Sequence, residues 1–325
     1  MTTDAIDVHA HFLPDFYREA LIAAGYSRPD GIPALPPWEE PKALAAMNRL
    51  GVGSALLSIS SPGVHFGDRS PAVELARGVN EAGARIVRHT PDRFGFFATL
   101  PLPEIEDSVK EAQYALDELD ADGVVLLTNH HGMYPGDERL EPLYAALNAR
   151  SAVIFIHPTS PQTGPSTSDL PAPVLEFMFE TTRAVTDLVL SGVMDRFPRL
   201  RIIVPHAGAT LAVLANRIDM FTALLSSLQG KRQPPNLHAS LANLDFDLAG
   251  CPVDEQLGAL IAVADPTRLH YGSDYPFTPA SACQVLRSQL LGSRHLDAGR
   301  GGQAFTANSG QLFPRLRVYD DEAAT

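Results

Sequence analysis

The chain has 325 residues, 45% hydrophobic and 19% charged, and its 25 Lys and Arg against 38 Asp and Glu leave a net charge of −13. That apolar share excludes an intrinsically disordered chain, and the acidic balance, with no basic run, argues against a nucleic-acid partner. No uninterrupted run of eighteen apolar residues occurs, so no membrane span is expected.

Two cysteines, Cys251 and Cys283, are too few for a disulfide framework. The opening Met1-Thr2-Thr3-Asp4 lacks the basic segment of a secretory leader. The expectation is a reducing, cytoplasmic setting, in which a metal site draws on imidazole and carboxylate rather than thiolate.

In chain order, short apolar runs fall at 5–8, 52–59, 94–100, 123–127, 152–156, 201–204, 244–249 and 269–271. Most are nearly continuous rather than alternating, the pattern of parallel strands covered on both faces. Stretches of helical periodicity lie between them: 40–50, with Leu44, Met47 and Leu50 on one side, then 140–149 and 177–194, where Glu176 and Glu180 stand near the start. Eight strand–helix units predict an α/β protein, a (β/α)8 TIM barrel filling 1–325 as a single domain. An open doubly wound sheet is the alternative, weakened because no Gly-x-Gly-x-x-Gly follows the first strand.

Two segments read as long loops. Residues 26–41 hold five prolines and the only tryptophan, Trp38, and 158–173 are rich in Pro, Ser, Thr and Gly. Such loops in a compact domain commonly carry function. The second reads as a lid or subunit contact over the end of the fifth strand, or as a surface insertion. The tail, 315–325, carries Asp320-Asp321-Glu322 and reads as solvated.

His9 and His11 end the first run and stand two apart, so on a strand they point the same way. His157 ends the fifth run, His206 the sixth and Asp274 the eighth. In a barrel, strand C-termini form one ring, and that ring is the active-site face. Singly, each has a plainer reading, as a core histidine or a turn-capping carboxylate. Jointly, imidazoles and a carboxylate without a thiol suit zinc or manganese.

The Asp7-Val8-His9-Ala10-His11 start, the His157 and His206 strand ends and the Gly272-Ser273-Asp274-Tyr275-Pro276 turn resemble the amidohydrolase superfamily. Glu180-Thr181-Thr182-Arg183-Ala184-Val185, Ser191-Gly192-Val193, Arg196-Phe197-Pro198 and Phe246-Asp247-Leu248-Ala249-Gly250 narrow the resemblance to its decarboxylase branch. That branch includes the aminocarboxymuconate semialdehyde and resorcylate decarboxylases, and the chain is most similar to 6-methylsalicylate decarboxylase-like proteins. The resemblance implies one divalent metal, zinc before manganese, held by His9, His11, His157 and Asp274. The bridging lysine of two-metal members is missing from 124–131. His206 would stay off the metal and act on water or substrate, while Asp274 would also serve as the acid. Arg217 would hold the substrate carboxylate, often from a neighbouring subunit, unless it is a surface arginine. Phe277 would contact a planar ring, or else belong to the core.

The implied activity is metal-dependent, non-oxidative decarboxylation of a small aromatic or muconate-type carboxylic acid, such as an ortho-hydroxybenzoate, by a homodimer. The alternatives are a metal-dependent hydrolase (lactonase or amidohydrolase) of a small cyclic acid, or a catalytically silent scaffold. The sequence departs from the branch in two places. His206-Ala207-Gly208-Ala209 replaces a glycine run, adding bulk beside the site. His130 and His131 are adjacent, so on a strand at most one enters the site, and they read mainly as loop residues. His65, His89, His238, His270 and His295 show no convergent partners in the sequence.

Overall fold

The computed structural model describes residues 5–162, 170–250, 254–296 and 301–316. Cys251, the acidic tail end and the middle of the 158–173 loop lie outside the described residues.

Eight parallel strands form one sheet in sequence order: β1 (Ala5–His11), β2 (Val52–Ser58), β3 (Phe94–Ala98), β4 (Gly123–Leu127), β5 (Val153–His157), β6 (Arg201–Val204), β7 (Asp245–Asp247) and β8 (Leu269–His270). Each lies within or across one of the eight apolar runs. The sheet closes into a barrel through a Val8 N–H to Tyr271 carbonyl bond of 2.9 Å and bridges pairing Asp7 with Tyr271 and Ala10 with Tyr275. One or two helices follow each strand: α1 (Asp15–Ala23), α2 (Glu40–Leu50), α3 (Arg69–His89), α4 (Ile105–Asp117), α5 (Glu141–Ala149), α6 (Glu176–Leu190), the short α7 (Val193–Arg196), α8 (Leu211–Gln229), the short α9 (Leu237–Leu241), α10 (Asp254–Ile261), α11 (Ala280–Leu291) and α12 (Gly301–Leu312).

Strands this short and this apolar are buried on both faces because helices cover the outside and side chains fill the inside. A cluster of Ile6, Val8, Leu56, Phe97, Phe155 and Ile203 gathers five strands about the barrel axis, with Phe313 and Leu316 packed against it. The helix α3 turns Ala72, Ala76, Val79 and Gly83 inward. A Cβ at Gly83 would stand 2.9 Å from the Phe96 ring, so only glycine lets α3 approach β3 this closely.

Two expected helices change shape. The stretch 140–149 opens as a 3-10 turn over Glu138–Leu140 before α5. The stretch 177–194 divides into α6 and α7 at Gly192, whose φ of 78° no helix continues through.

The helix α8 is long and apolar enough to cross a membrane, by length and composition alone. Arg217 and Asp219 interrupt its apolar residues, so it holds no unbroken apolar run of that length. The Asp219 carboxylate accepts the Leu237 and His238 N–H groups at 2.7 and 2.9 Å, tying α8 to the start of α9. What α8 leaves exposed is a stripe of Val213, Arg217, Met220, Phe221, Leu224 and Leu228, with Val213 72% and Leu228 75% exposed.

Candidate metal centre and its cavity

One ligand atom each from His9, His11, His157 and Asp274 lie within 4.8 Å of one another at the C-terminal mouth of the barrel. The rings of His9 and His11 are 5.0 Å apart, and that of His157 is 4.8 Å from His11 and 5.3 Å from His9. Asp274 Oδ1 stands 3.1 Å from His11 Nε2 and 3.5 Å from His9 Nε2.

The outward nitrogens decide the tautomers. His9 Nδ1 faces Asp247 Oδ2 at 2.9 Å, His11 Nδ1 faces the Ser58 carbonyl and hydroxyl at 3.3 and 3.0 Å, and His157 Nδ1 faces the Pro158 carbonyl at 2.7 Å. A carbonyl or carboxylate only accepts, so each Nδ1 donates its proton outward and each Nε2 turns a lone pair inward. Three lone pairs and one carboxylate therefore converge on one point. His9 Nε2 is buried and makes no hydrogen bond. An orphaned acceptor in such a place fits a cation, and second-layer acceptors that fix imidazole tautomers are the usual surroundings of a metal.

Electrostatics agree. Burial disfavours charge on His9, yet Asp247 and Asp274 outweigh it and push its pKa up to about 10 when no ion is counted. Burial and the neighbouring rings hold His11 and His157 below the ordinary histidine value. Burial raises the Asp274 carboxyl, but the adjacent His11 and His9 rings outweigh it and hold it well below the usual carboxylate range. The pocket is built for positive charge between two carboxylates.

Asp247 is the residue sequence reading missed. It closes β7, and its other oxygen accepts the backbone N–H groups of His206 and Ala249 at 3.0 and 2.9 Å. A carboxylate ending an apolar strand was visible, but its partner in β1 lies 238 residues away in sequence. Asp7 was also missed as a support. It accepts the His9 and Ser273 N–H groups at 3.1 and 3.0 Å, and burial pushes its carboxyl up to about 6.

His206 stands beside the cluster, its ring 5.1 Å from that of His9 and its Nδ1 buried without a hydrogen-bond partner. Burial, then the His9 charge, holds it below the ordinary histidine pKa, so it is neutral. Its backbone is strained: His206, Ala207 and Ala209 have φ of 54°, 53° and 53°, and Asp274 has 59°. Left-handed non-glycine residues cost free energy that the surrounding structure must offset, and they cluster at functional sites. Ala207 and Ala209 are buried and do not line the cavity, so the departure from a glycine run does not narrow it.

A cavity of about 600 Å³ opens over the metal cluster. Pro29, Asp30 and Ile32 line it from the 26–41 loop, Pro173 and Val174 from the 3-10 turn Ala172–Val174, and Phe177 and Met178 from α6. Phe277 lines it too, its ring edge-on to His11 at 5.3 Å, while also packing against the edge of the core. Arg217 does not line it. Its guanidinium lies 4.7 Å over the Phe221 ring on the exposed stripe of α8.

His130 and His131 lie past the end of the strand, as loop residues, and neither lines the cavity over the metal cluster. The strand β4 stops at Leu127, and a turn with His131 at φ 52° sends both into a separate cavity of about 250 Å³. His65 joins them, 4.9 Å ring to ring from His131, so it does have a partner. His270 has one as well, 2.9 Å from Asp245, which also holds Arg201 and Arg268 at the opposite end of the barrel.

Residues 6–283 match the family described as Amidohydrolase. The chain is 37% identical to a protein called Decarboxylase yanB of Aspergillus niger, over 98% of this chain and 89% of that one. It is also 37% identical to 6-methylsalicylic acid decarboxylase acuB of Aspergillus aculeatus, over 96% of each. Among solved structures, one described as an amidohydrolase II shares 34% identity over 95% of this chain and 99% of that one, with a TM-score of 0.89. A 5-carboxyvanillate decarboxylase of Novosphingobium aromaticivorans, complexed with manganese, has the same fold, with a TM-score of 0.83 at 22% identity over 97% and 99% of the two chains.

Proposed function

The chain belongs to the amidohydrolase family, and from that premise we propose that it is a metal-dependent carboxy-lyase that removes CO2 from a small aromatic carboxylic acid without oxidation. The carrying observation is the convergence of three Nε2 lone pairs and Asp274 beneath a cavity with mostly apolar walls. Relatives named as decarboxylases, similar over nearly the whole chain, favour this over hydrolysis.

His9, His11, His157 and Asp274 would hold one divalent ion, which supplies positive charge for the oxygens of the bound acid. Zinc is our assignment, because three nitrogens and one carboxylate suit it, with manganese as the competitor. Phe277 and Phe177 confine the ring. The acid enters as a carboxylate, and one proton goes to the ring carbon that bears it. The carbon–carbon bond then breaks, its electron pair returns to the ring, and CO2 leaves. Asp274 is an anion and His206 is neutral, so neither holds a spare proton at rest. The proton enters from solvent through the cavity, and His206, with its bare Nδ1, passes it to Asp274 and so to the ring.

The reading includes a homodimer in a reducing, cytoplasmic setting. Neither Lys nor Arg lines the cavity among the described residues. A second copy would present Arg217, set in an apolar stripe that a lone chain leaves open.

Incubating the metal-loaded protein with ortho-hydroxybenzoates and analysing products tests the reaction. Stoichiometric CO2 and a phenol with its ring intact are expected. A ring-opened acid without CO2 would establish the hydrolytic alternative.

A further inference from the structure

We propose that Asp30 sets the substrate class, excluding acids with a second carboxylate and favouring monocarboxylic acids whose other ring substituents are apolar or hydroxyl. This deepens the decarboxylase reading and rests on it.

Asp30 lies in the 3-10 turn Pro29–Gly31, within the proline-rich loop over the barrel mouth, at a left-handed φ of 56°. The turn is clamped from behind, since a Cβ at Gly31 would stand 3.2 Å from the Pro171 backbone. Its carboxylate accepts the Ser160 hydroxyl at 2.6 Å and the Ser160 N–H at 3.2 Å. Those bonds place it in the partition between two cavities, and it lines both the one over the metal cluster and the one beside it.

Its surroundings lack a counter-charge. No Lys, Arg or His lies within ion-pair distance of Asp30 among the described residues. Ser160 satisfies its lone pairs without neutralising it, and the facing walls, Ile32, Pro33, Val174, Phe177, Met178 and Phe277, are apolar. The other carboxylate in the cavity, Asp274, is committed to the metal cluster. A second carboxylate on the substrate ring would thus meet an unpaired negative charge in a poorly solvated space, which repels it. A hydroxyl could donate to Asp30, and an alkyl group would rest on the apolar wall.

Burial raises the Asp30 carboxyl above its ordinary value, so the test uses the full-length, zinc-loaded protein at pH 8, well above the ordinary carboxylate range. Equilibrium dissociation constants are measured for salicylate and for hydroxybenzene dicarboxylates with the second carboxylate at each free ring position. Wild type should bind salicylate more tightly than every dicarboxylate. In Asp30→Asn, which keeps the shape and an acceptor for Ser160, that preference should fall roughly tenfold or more for at least one dicarboxylate. An unchanged ratio in a folded, metal-replete Asp30→Asn, or a wild type indifferent to the second carboxylate, overturns the proposal. Should Asp30→Asn fail to fold, Asp30→Gly serves: glycine adopts the left-handed φ freely and carries no charge, so the preference must fall in it too, and an unchanged ratio refutes the idea. If salicylate is decarboxylated while the ratios stay fixed, Asp30 alone is misassigned. If no acid binds, the decarboxylase reading fails together with it.

Discussion

Asp247 joins two functional residues with one side chain, which makes its substitution informative. One oxygen orients the His9 ring and the other accepts the His206 and Ala249 amides. An asparagine has one carbonyl oxygen and one NH2, so it can serve His9 or the amides but not both. We expect Asp247→Asn to weaken metal affinity by about 10- to 100-fold, the usual scale for second-layer partners, measured by competition with a chromogenic chelator. An affinity equal to wild type would show that His9 is oriented by something else. His206→Ala should do the reverse, keeping one metal per chain by elemental analysis and losing roughly 100-fold or more in turnover. Loss of metal there would make His206 a ligand. The ligand set was legible in the sequence because a polar residue that ends an apolar strand must be explained. Asp247 and Asp30 were not, because their roles depend on partners in β1 and beyond β5 that no local pattern reveals.

At the scale of elements, the eight apolar runs became the eight strands, since a run with no polar face can only be a strand covered on both sides. Less legible were the breaks. Gly192 stops α6 through a left-handed backbone, and the end of β4 at Leu127 turns two histidines out of the site, and neither follows from hydrophobic periodicity. The β8 end shows how tightly elements meet at the centre. A Cβ on Gly272 would stand 2.9 Å from His9 Cβ and 3.0 Å from Ala249 Cβ. Gly272→Ala must push β1 or β7 aside, an overpacking cost of about 1–3 kcal/mol. We expect a melting temperature lowered by a few degrees, roughly 2–4 °C per kcal/mol, and less additional stabilisation by zinc than wild type shows. A variant with wild-type melting and a full zinc-induced shift would mean that the ligands tolerate movement of the strand end.

For the whole molecule, the decisive question is where the cation for the substrate carboxylate comes from. The cavity offers none of its own among the described residues, and Arg217 points from an exposed stripe shared with Met220, Phe221, Leu224 and Leu228. In the proposed homodimer a symmetric partner would cover this patch, and a two-fold axis would place the same arginine at both pockets. The Thr182 and Thr210 hydroxyls meet at 2.7 Å, holding the start of α8 against α6, whose first turns carry the cavity residues Phe177 and Met178. Arg217→Met should leave metal content intact and reduce kcat/KM by about 10- to 200-fold, the scale of a lost hydrogen bond to a charged group. Mixing this variant with His206→Ala then separates a shared site from a local one. In a mixed dimer, one pocket has His206 from one subunit and Arg217 from the other, while the second pocket lacks both. After random exchange of equal amounts, roughly a quarter of wild-type activity should return, because half the dimers are mixed and each has one competent pocket. Full subunit exchange, shown by mass-tagged chains, with activity no higher than the two parents would place Arg217 outside the neighbour's site.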